Sequence, residues 1–145
     1  MTEELIKKEH VAVGVQAKDW ERAIEASGSL LVKSGAVTSE YVKQMIDSVK
    51  ENGPYIVIGP GMAIAHARPS EAVHTDAVSL AILKEAVPFG NEENDPVDLV
   101  FSFSATGAES HLHLIERLSR LLLDEEKVGQ LREAKSAEDV YQIIS

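Results

Sequence analysis

Gly59-Pro60-Gly61-Met62-Ala63-Ile64-Ala65-His66-Ala67-Arg68-Pro69 is a shaped turn, a short apolar run and a single imidazole. The apolar run Tyr55-Ile56-Val57-Ile58 leads into it and reads as a short buried strand. Gly59, Pro60 and Gly61 break that strand, because glycine reaches φ values closed to other residues and proline fixes its own. Met62 to Ala65 are apolar again and small. His66 then stands directly before Ala67-Arg68-Pro69, at the end of a rigid approach, with a guanidinium nearby and a proline stop behind it. A chain built this way presents one histidine to a partner. The plainer alternative is a satisfied histidine at a strand end.

Outward from this segment, strands and helices alternate. Val11, Val13 and Val15 recur with period two, a strand. Asp19 can cap a helix carrying Trp20, Ile24, Ser27 and Leu31 at helical spacing to about Lys33, and Gly35 ends it. Thr38-Ser39-Glu40 opens a second helix, apolar along Tyr41, Val42, Met45, Ile46 and Val49, which Asn52-Gly53-Pro54 stops. Ala77 to Leu83 is a continuous apolar strand of the interior kind. Pro88 to Pro96 is an acidic surface loop. Val97 to Ser104 is a strand with Leu99, Phe101 and Phe103 on one face and Val100 on the other. Helices fill roughly 107–123, 124–133 and 136–144. The pattern predicts an α/β fold over residues 1–145 as one domain: a three-layer sandwich with a mixed central sheet flanked by helices on both faces.

The 145 residues are 44% hydrophobic and 26% charged, the balance of an ordinary globular domain with a real core. A formal charge of -10 disfavours nucleic acid and anionic membranes as partners and favours basic ones. The chain has no cysteine, so it has no disulfide, thiolate nucleophile or cysteine metal site. That suits a cytoplasmic location. The start Met1-Thr2-Glu3-Glu4-Leu5-Ile6 is too polar for a signal peptide, and no apolar run approaches the ~18 residues of a membrane span.

The second informative histidine follows the 97–104 strand. Thr106-Gly107-Ala108-Glu109 has the spacing of a capping box. In the helix it opens, His111 shares a face with Leu114, Ile115, Leu118 and Leu122, the core side. His113 shares the solvent side with Glu116, Arg117 and Arg120. The two imidazoles point about 200° apart, which makes His-x-His here a poor metal chelate. His111 falls in the first turn of its helix, at the strand edge where α/β sheets form sites and where a helix N-terminus favours an anion. His66 and His111 can therefore meet at one edge. His74 reads as a loop residue and His10 as a strand-edge residue.

The Gly59–Pro69 segment resembles the active-histidine motif of the enzyme IIA proteins of the mannitol/fructose class, in the phosphoenolpyruvate-dependent sugar phosphotransferase system. Asn94-Asp95-Pro96-Val97-Asp98-Leu99-Val100-Phe101 resembles the family's next strand. His111-Leu112-x-Leu114-Ile115-x-x-Leu118-Ser119-x-Leu121-Leu122 resembles its second-histidine helix. The three blocks occur in order and cover nearly the whole chain. Gly53-Pro54-Tyr55, the Gly-Pro-Gly turn and His-Ala-Arg-Pro look most like the ascorbate-type branch. The resemblance implies that His66 accepts a phosphoryl group from the phosphocarrier protein HPr and passes it to an enzyme IIB, usually on a cysteine. It implies that His111 holds the phosphoryl oxygens, that no cofactor or metal is needed, and that the IIB and membrane IIC partners are other polypeptides.

Two departures stand out. The family often reads Pro-His-Gly where this chain reads Ala65-His66-Ala67. Mannitol-type relatives carry an arginine in the preceding helix, at about Ser48 here with Lys50 nearby, so Arg68 becomes the candidate cation. Met62, Ala63 and Ala67 are the expected docking surface, with Glu92-Glu93-Asn94-Asp95 a candidate to steer HPr. Other readings of the residues are a regulatory phosphoprotein of the same fold, a binding module with structural histidines, and a metal hydrolase. The last lacks a carboxylate set near His66 and His111.

Overall fold

The computed structural model describes residues 5–144, so Met1 to Glu4 and Ser145 lie outside the described part. After a 3₁₀ turn at Lys8–His10 come β1 (Val11–Val15), α1 (Trp20–Lys33), α2 (Ser39–Asn52), β2 (Val57–Gly59), β3 (Met62–Ala65), β4 (Ala77–Val87) and β5 (Val97–Ser104). Three helices close the chain: α3 (Ala108–Leu123), α4 (Glu125–Glu133) and α5 (Ala137–Ile144). None is long and apolar enough to cross a membrane.

The five strands form one mixed sheet in the order β1-β4-β5-β3-β2. β1 runs parallel to β4 and β3 parallel to β5, while β4–β5 and β2–β3 are antiparallel. The side-chain alternation of a strand sorts the core into two layers. Ala63, Ala65 and Val100 pack with Ile24, Leu31, Tyr41 and Met45 of α1 and α2. Ile64, Phe101 and Phe103 pack with Leu114 and Leu118 of α3, Leu131 of α4 and Val140 of α5. Leu99, Phe101 and Phe103 share one face and Val100 takes the other, as their spacing requires. The sheet thus carries helices on both faces, the predicted sandwich.

Small residues bring α1 down on the sheet. Ser27 is fully buried, its hydroxyl against that of Ser102, and Ser79 Oγ donates to the Ser27 carbonyl at 2.7 Å. Buried hydroxyls tolerate this position because each finds a partner.

Three elements differ from the sequence expectation. The strand predicted at 55–58 begins at Val57, because Gly53-Pro54 extends into a turn: Tyr55 N–H donates to Gly53 O at 2.9 Å and Val57 N–H to Pro54 O at 3.2 Å. Met62 to Ala65 form a strand of their own, so Gly59-Pro60-Gly61 is the turn of a hairpin. The capping box at Thr106 does not form. Asp76 takes the Thr106 N–H and hydroxyl at 2.7 and 3.1 Å, and Gly107 becomes the N-cap, with Ser110 Oγ accepting its N–H at 3.3 Å.

The hairpin turn is fastened to α4. Arg132 Nε lies 3.1 Å from both Asp98 carboxylate oxygens, and its Nη2 donates to the Pro60 carbonyl at 2.8 Å. Gly61 has φ +73, and a Cβ there would meet Arg132 Nη2 at 2.5 Å. Only glycine suits both the backbone and the space.

Tyr41 ties the layers together. Its hydroxyl accepts the Ala67 N–H at 3.0 Å and donates to the Phe103 carbonyl at 2.8 Å, and its ring is fully buried. Burial pushes its phenol up to about 12, so it stays protonated. Tyr41→Phe keeps the ring and leaves the Ala67 N–H without this acceptor. We expect a loss of about 1–3 kcal/mol in denaturant unfolding, the cost of an unsatisfied buried group. An unchanged midpoint would show that the hydroxyl bridge carries no stability.

Candidate functional site

His66 follows the last residue of β3, where the parallel neighbour β5 also ends: Ala65 stands beside Ser102, one residue before Phe103. The alternation that sends Ile64 to the α3 side sends the His66 ring the same way. It stacks on Phe103, with ring centroids 5.0 Å apart and planes 16° apart. His111, in the first turn of α3, meets both rings edge-on, 5.5 Å from His66 and 5.2 Å from Phe103. The two histidines singled out in the sequence therefore do meet. His111 is half-buried over the end of the sheet rather than in the core, because its turn of helix lies beyond the last strand residues.

His66 Nδ1 lies 3.0 Å from the Ile64 carbonyl. A carbonyl only accepts, so Nδ1 carries the proton and Nε2 keeps its lone pair. Burial pushes the His66 imidazole below its ordinary 6.5. The Ile64 bond works against that, and His111 adds to it. The ring is thus a neutral base with one defined tautomer near pH 7.

A cavity of about 460 Å³ opens beside the pair, bordered by Ser48, Asn52, Tyr55, Arg68 and both histidines. Tyr55 presents its ring edge-on to His66 at 5.9 Å, and its hydroxyl lies 2.7 Å from Ser48 Oγ. Arg68 is exposed and has no hydrogen-bond or ion-pair partner among the described residues. A larger groove of about 660 Å³ runs from His66 past Ile64, Met62, Ile115 and Val128 to Arg132. Its lining is mostly apolar, with Ser119, Glu125 and Arg132 among the polar residues.

The other histidines take no part. His113 is exposed, as its helical face predicts. His74 is an exposed loop residue whose Nδ1 donates to Gly35 O at 3.1 Å. His10 ends the 3₁₀ turn, buried, with Nε2 2.7 Å from Ser34 Oγ, and burial lowers its pKa. Among the described residues no three His, Asp or Glu side chains converge where they could hold a metal ion.

Two expectations about docking are corrected. Ala63 is fully buried against the α1–α2 layer, because alternation along β3 turns it away from His66, so it cannot touch a partner. The acidic loop sits at the other end of β3: Gly61 N–H donates to Asn94 O at 2.9 Å. Five residues of extended chain, roughly 16 Å, separate it from His66. Asp95 spends its carboxylate inside the loop, on the N–H groups of Phe89, Gly90 and Asn91. Met62 lines the groove and Ala67 is half-buried beside the site.

Sequence reading missed Phe103 as the platform for His66, Tyr41 as the clamp behind it, and Tyr55 and Ser48 as cavity walls. Phe103, Tyr41 and Tyr55 read as apolar positions of their elements, and Ser48 only as the place where mannitol-type relatives carry an arginine. Only the Gly-Pro turn before Tyr55 hinted that this side chain is held in place.

Comparison with known proteins bears on the family and the fold. The family model described as "Phosphoenolpyruvate-dependent sugar phosphotransferase system, EIIA 2" matches residues 4–145. The ascorbate-specific EIIA component of Escherichia coli K12 is 32% identical over 145 residues, covering 99% of this chain and 94% of the relative. The solution structure of a mannitol-specific cryptic enzyme IIA from Escherichia coli superposes with a TM-score of 0.87 at 36% identity, covering 97% of this chain and 95% of that one. The mannitol enzyme IIA of the same organism, solved in complex with phosphorylated enzyme IIB, gives 0.84 at 30% identity over 96% of each chain. A match over almost the full length, on a fold whose strand ends bring His66 and His111 together, makes this chain a member of the type-2 enzyme IIA family of the phosphoenolpyruvate-dependent sugar phosphotransferase system.

Proposed function

We propose that His66 is the phosphoryl acceptor of this enzyme IIA, charged by the phosphohistidine of HPr and discharged to an enzyme IIB, with a cysteine thiolate as acceptor. The observation that carries the reading is the Nδ1–H bond to Ile64 O, which commits the proton to one nitrogen and leaves Nε2 as the nucleophile beside an open cavity. In the first step the Nε2 lone pair forms a bond to phosphorus as the donor's P–N bond breaks and returns its electron pair to the donor imidazole. In the second, the thiolate attacks phosphorus and the P–N bond to His66 breaks, returning the pair to Nε2. No proton need move at His66 in either step, because Nδ1–H stays on the carbonyl. What remains for the protein is positioning and charge stabilisation.

On this reading Phe103 and Tyr55 hold the ring, His111 donates an N–H to a phosphoryl oxygen, and Arg68 supplies a cation from the cavity rim. The groove beside His66 receives the apolar surface of the partner proteins. The transported compound is a sugar or sugar acid, in line with relatives specific for ascorbate and mannitol, and the protein works in the cytoplasm.

Incubation with phosphoenolpyruvate, enzyme I and HPr is expected to place one acid-labile phosphate on His66. Retention of label in His66→Ala would overturn the assignment. His111→Ala is expected to fold and to transfer about 10²-fold more slowly, the scale for losing one donor aimed at developing charge. His113→Ala serves as control, and equal rates in wild type and His111→Ala would remove His111 from the mechanism. Because the pKa of His66 is lowered, the neutral nucleophile persists below pH 6.5 and is lost only as pH falls through the folded value. NMR titration of the His66 ring should therefore show a midpoint under 6.5. A midpoint at or above that value would contradict the burial argument.

A further inference from the structure

We propose that the hydroxyls of Tyr55 and Ser48 form an uncharged donor pair for the phosphoryl oxygens on His66, an inference that rests on His66 being the acceptor. The two residues come from different elements, Ser48 from the last turns of α2 and Tyr55 from the turn before β2. The Gly53-Pro54 turn folds the chain back so that the hydroxyl oxygens lie 2.7 Å apart. Both border the cavity that His66 and His111 border.

Tyr55 is 46% exposed, yet it is held edge-on to the His66 ring at 5.9 Å. An exposed phenol confined to one orientation gives up rotamer freedom, which the contact with His66 and the bond to Ser48 must offset. Its placement makes chemical sense once a phosphoryl group is attached. Two hydroxyls bonded to each other use one of their two protons, so the second is free to donate. That hydroxyl can rotate to donate to an acceptor that enters the shared space. A phosphoryl group offers three charged oxygens, and a hydrogen bond to a charged acceptor is stronger than one between neutral groups. The Ser48–Tyr55 bond then polarises the donating hydroxyl and strengthens it further. Before phosphorylation the pair satisfies itself, hydroxyl to hydroxyl.

The same contact could instead be a surface tie that fixes the 53–55 turn. Tyr55→Phe separates the two roles, since it keeps the ring against His66 and removes only the hydroxyl. We expect phosphoryl transfer from phospho-HPr in a single turnover to slow about tenfold, the worth of one hydrogen bond. The ³¹P chemical shift of phospho-His66 should move, with the melting midpoint held. Ser48→Ala should have a smaller effect of the same kind. The double variant should be no slower than the product of the two, because the hydroxyls act through one another. Wild-type transfer and an unmoved ³¹P shift in Tyr55→Phe would overturn the proposal, as would a lowered melting midpoint without any change at phosphorus. Either result with normal labelling of His66 leaves the acceptor assignment standing. Label persisting in His66→Ala would instead remove that assignment.

Discussion

Parallel pairing of β3 with β5, in the register that sets Ala65 beside Ser102, is the constraint from which the site follows. Two parallel strands end at the same edge, so the residues that leave them are neighbours without any further device. His66 leaves β3 and stacks on Phe103 of β5. The chain continuing from β5 has only Ala105, Thr106 and Gly107 before α3 begins, which drops His111 next to His66. A one-residue slip would turn the His66 ring to the α1–α2 side and separate it from both. The Tyr41 hydroxyl guards against this, since it bridges Ala67 and Phe103, the residues beside and beneath His66.

The far end of the same strand pair is held just as firmly. Arg132 joins the Asp98 carboxylate to the Pro60 carbonyl, so the hairpin turn, β5 and α4 share one fastening. His66 is therefore carried on a short strand fixed at both ends. Catalysis that depends on positioning gains from such a mount, because no loop need be ordered when a partner arrives.

What was legible in the sequence was what a single element reveals by its own period. β5 shows its two faces through Leu99, Phe101 and Phe103 against Val100, and α3 separates His111 from His113 by the helical angle alone. What was not legible depends on distant partners. Tyr41 reads as an apolar helix position, because its hydroxyl bonds lie 26 and 62 residues away. Thr106 reads as a cap because nothing local shows that Asp76, 30 residues upstream, claims it. Ala63 was read as docking surface because it is small and close to His66. Which way it faces is decided by the pairing of β3 with β5, and no residue of the segment encodes that. Seen from the sequence, Met62 to Ala65 is an apolar run with no period long enough to declare itself a strand.

With His66 as the phosphoryl acceptor proposed above, the site would reconcile two opposed demands. A nucleophilic imidazole benefits from partial burial, which keeps it neutral and strips it of water. The phosphohistidine it becomes carries charge on three oxygens, and burial penalises that charge unless donors meet it. Phe103 and the Ile64 carbonyl serve the first state: an apolar face and one acceptor for Nδ1–H leave His66 poised without charge. Neither can donate a hydrogen bond to the oxygens of the second. Donors for the second state must stand at the open side, where they can remain solvated or satisfied while they wait. His111 is half-buried, Arg68 is exposed at the rim, and Ser48 and Tyr55 are bonded to each other. On that proposal, donors on the wet side and the stacking ring on the dry side would let one histidine alternate between the two states, with the backbone bond at Nδ1 common to both.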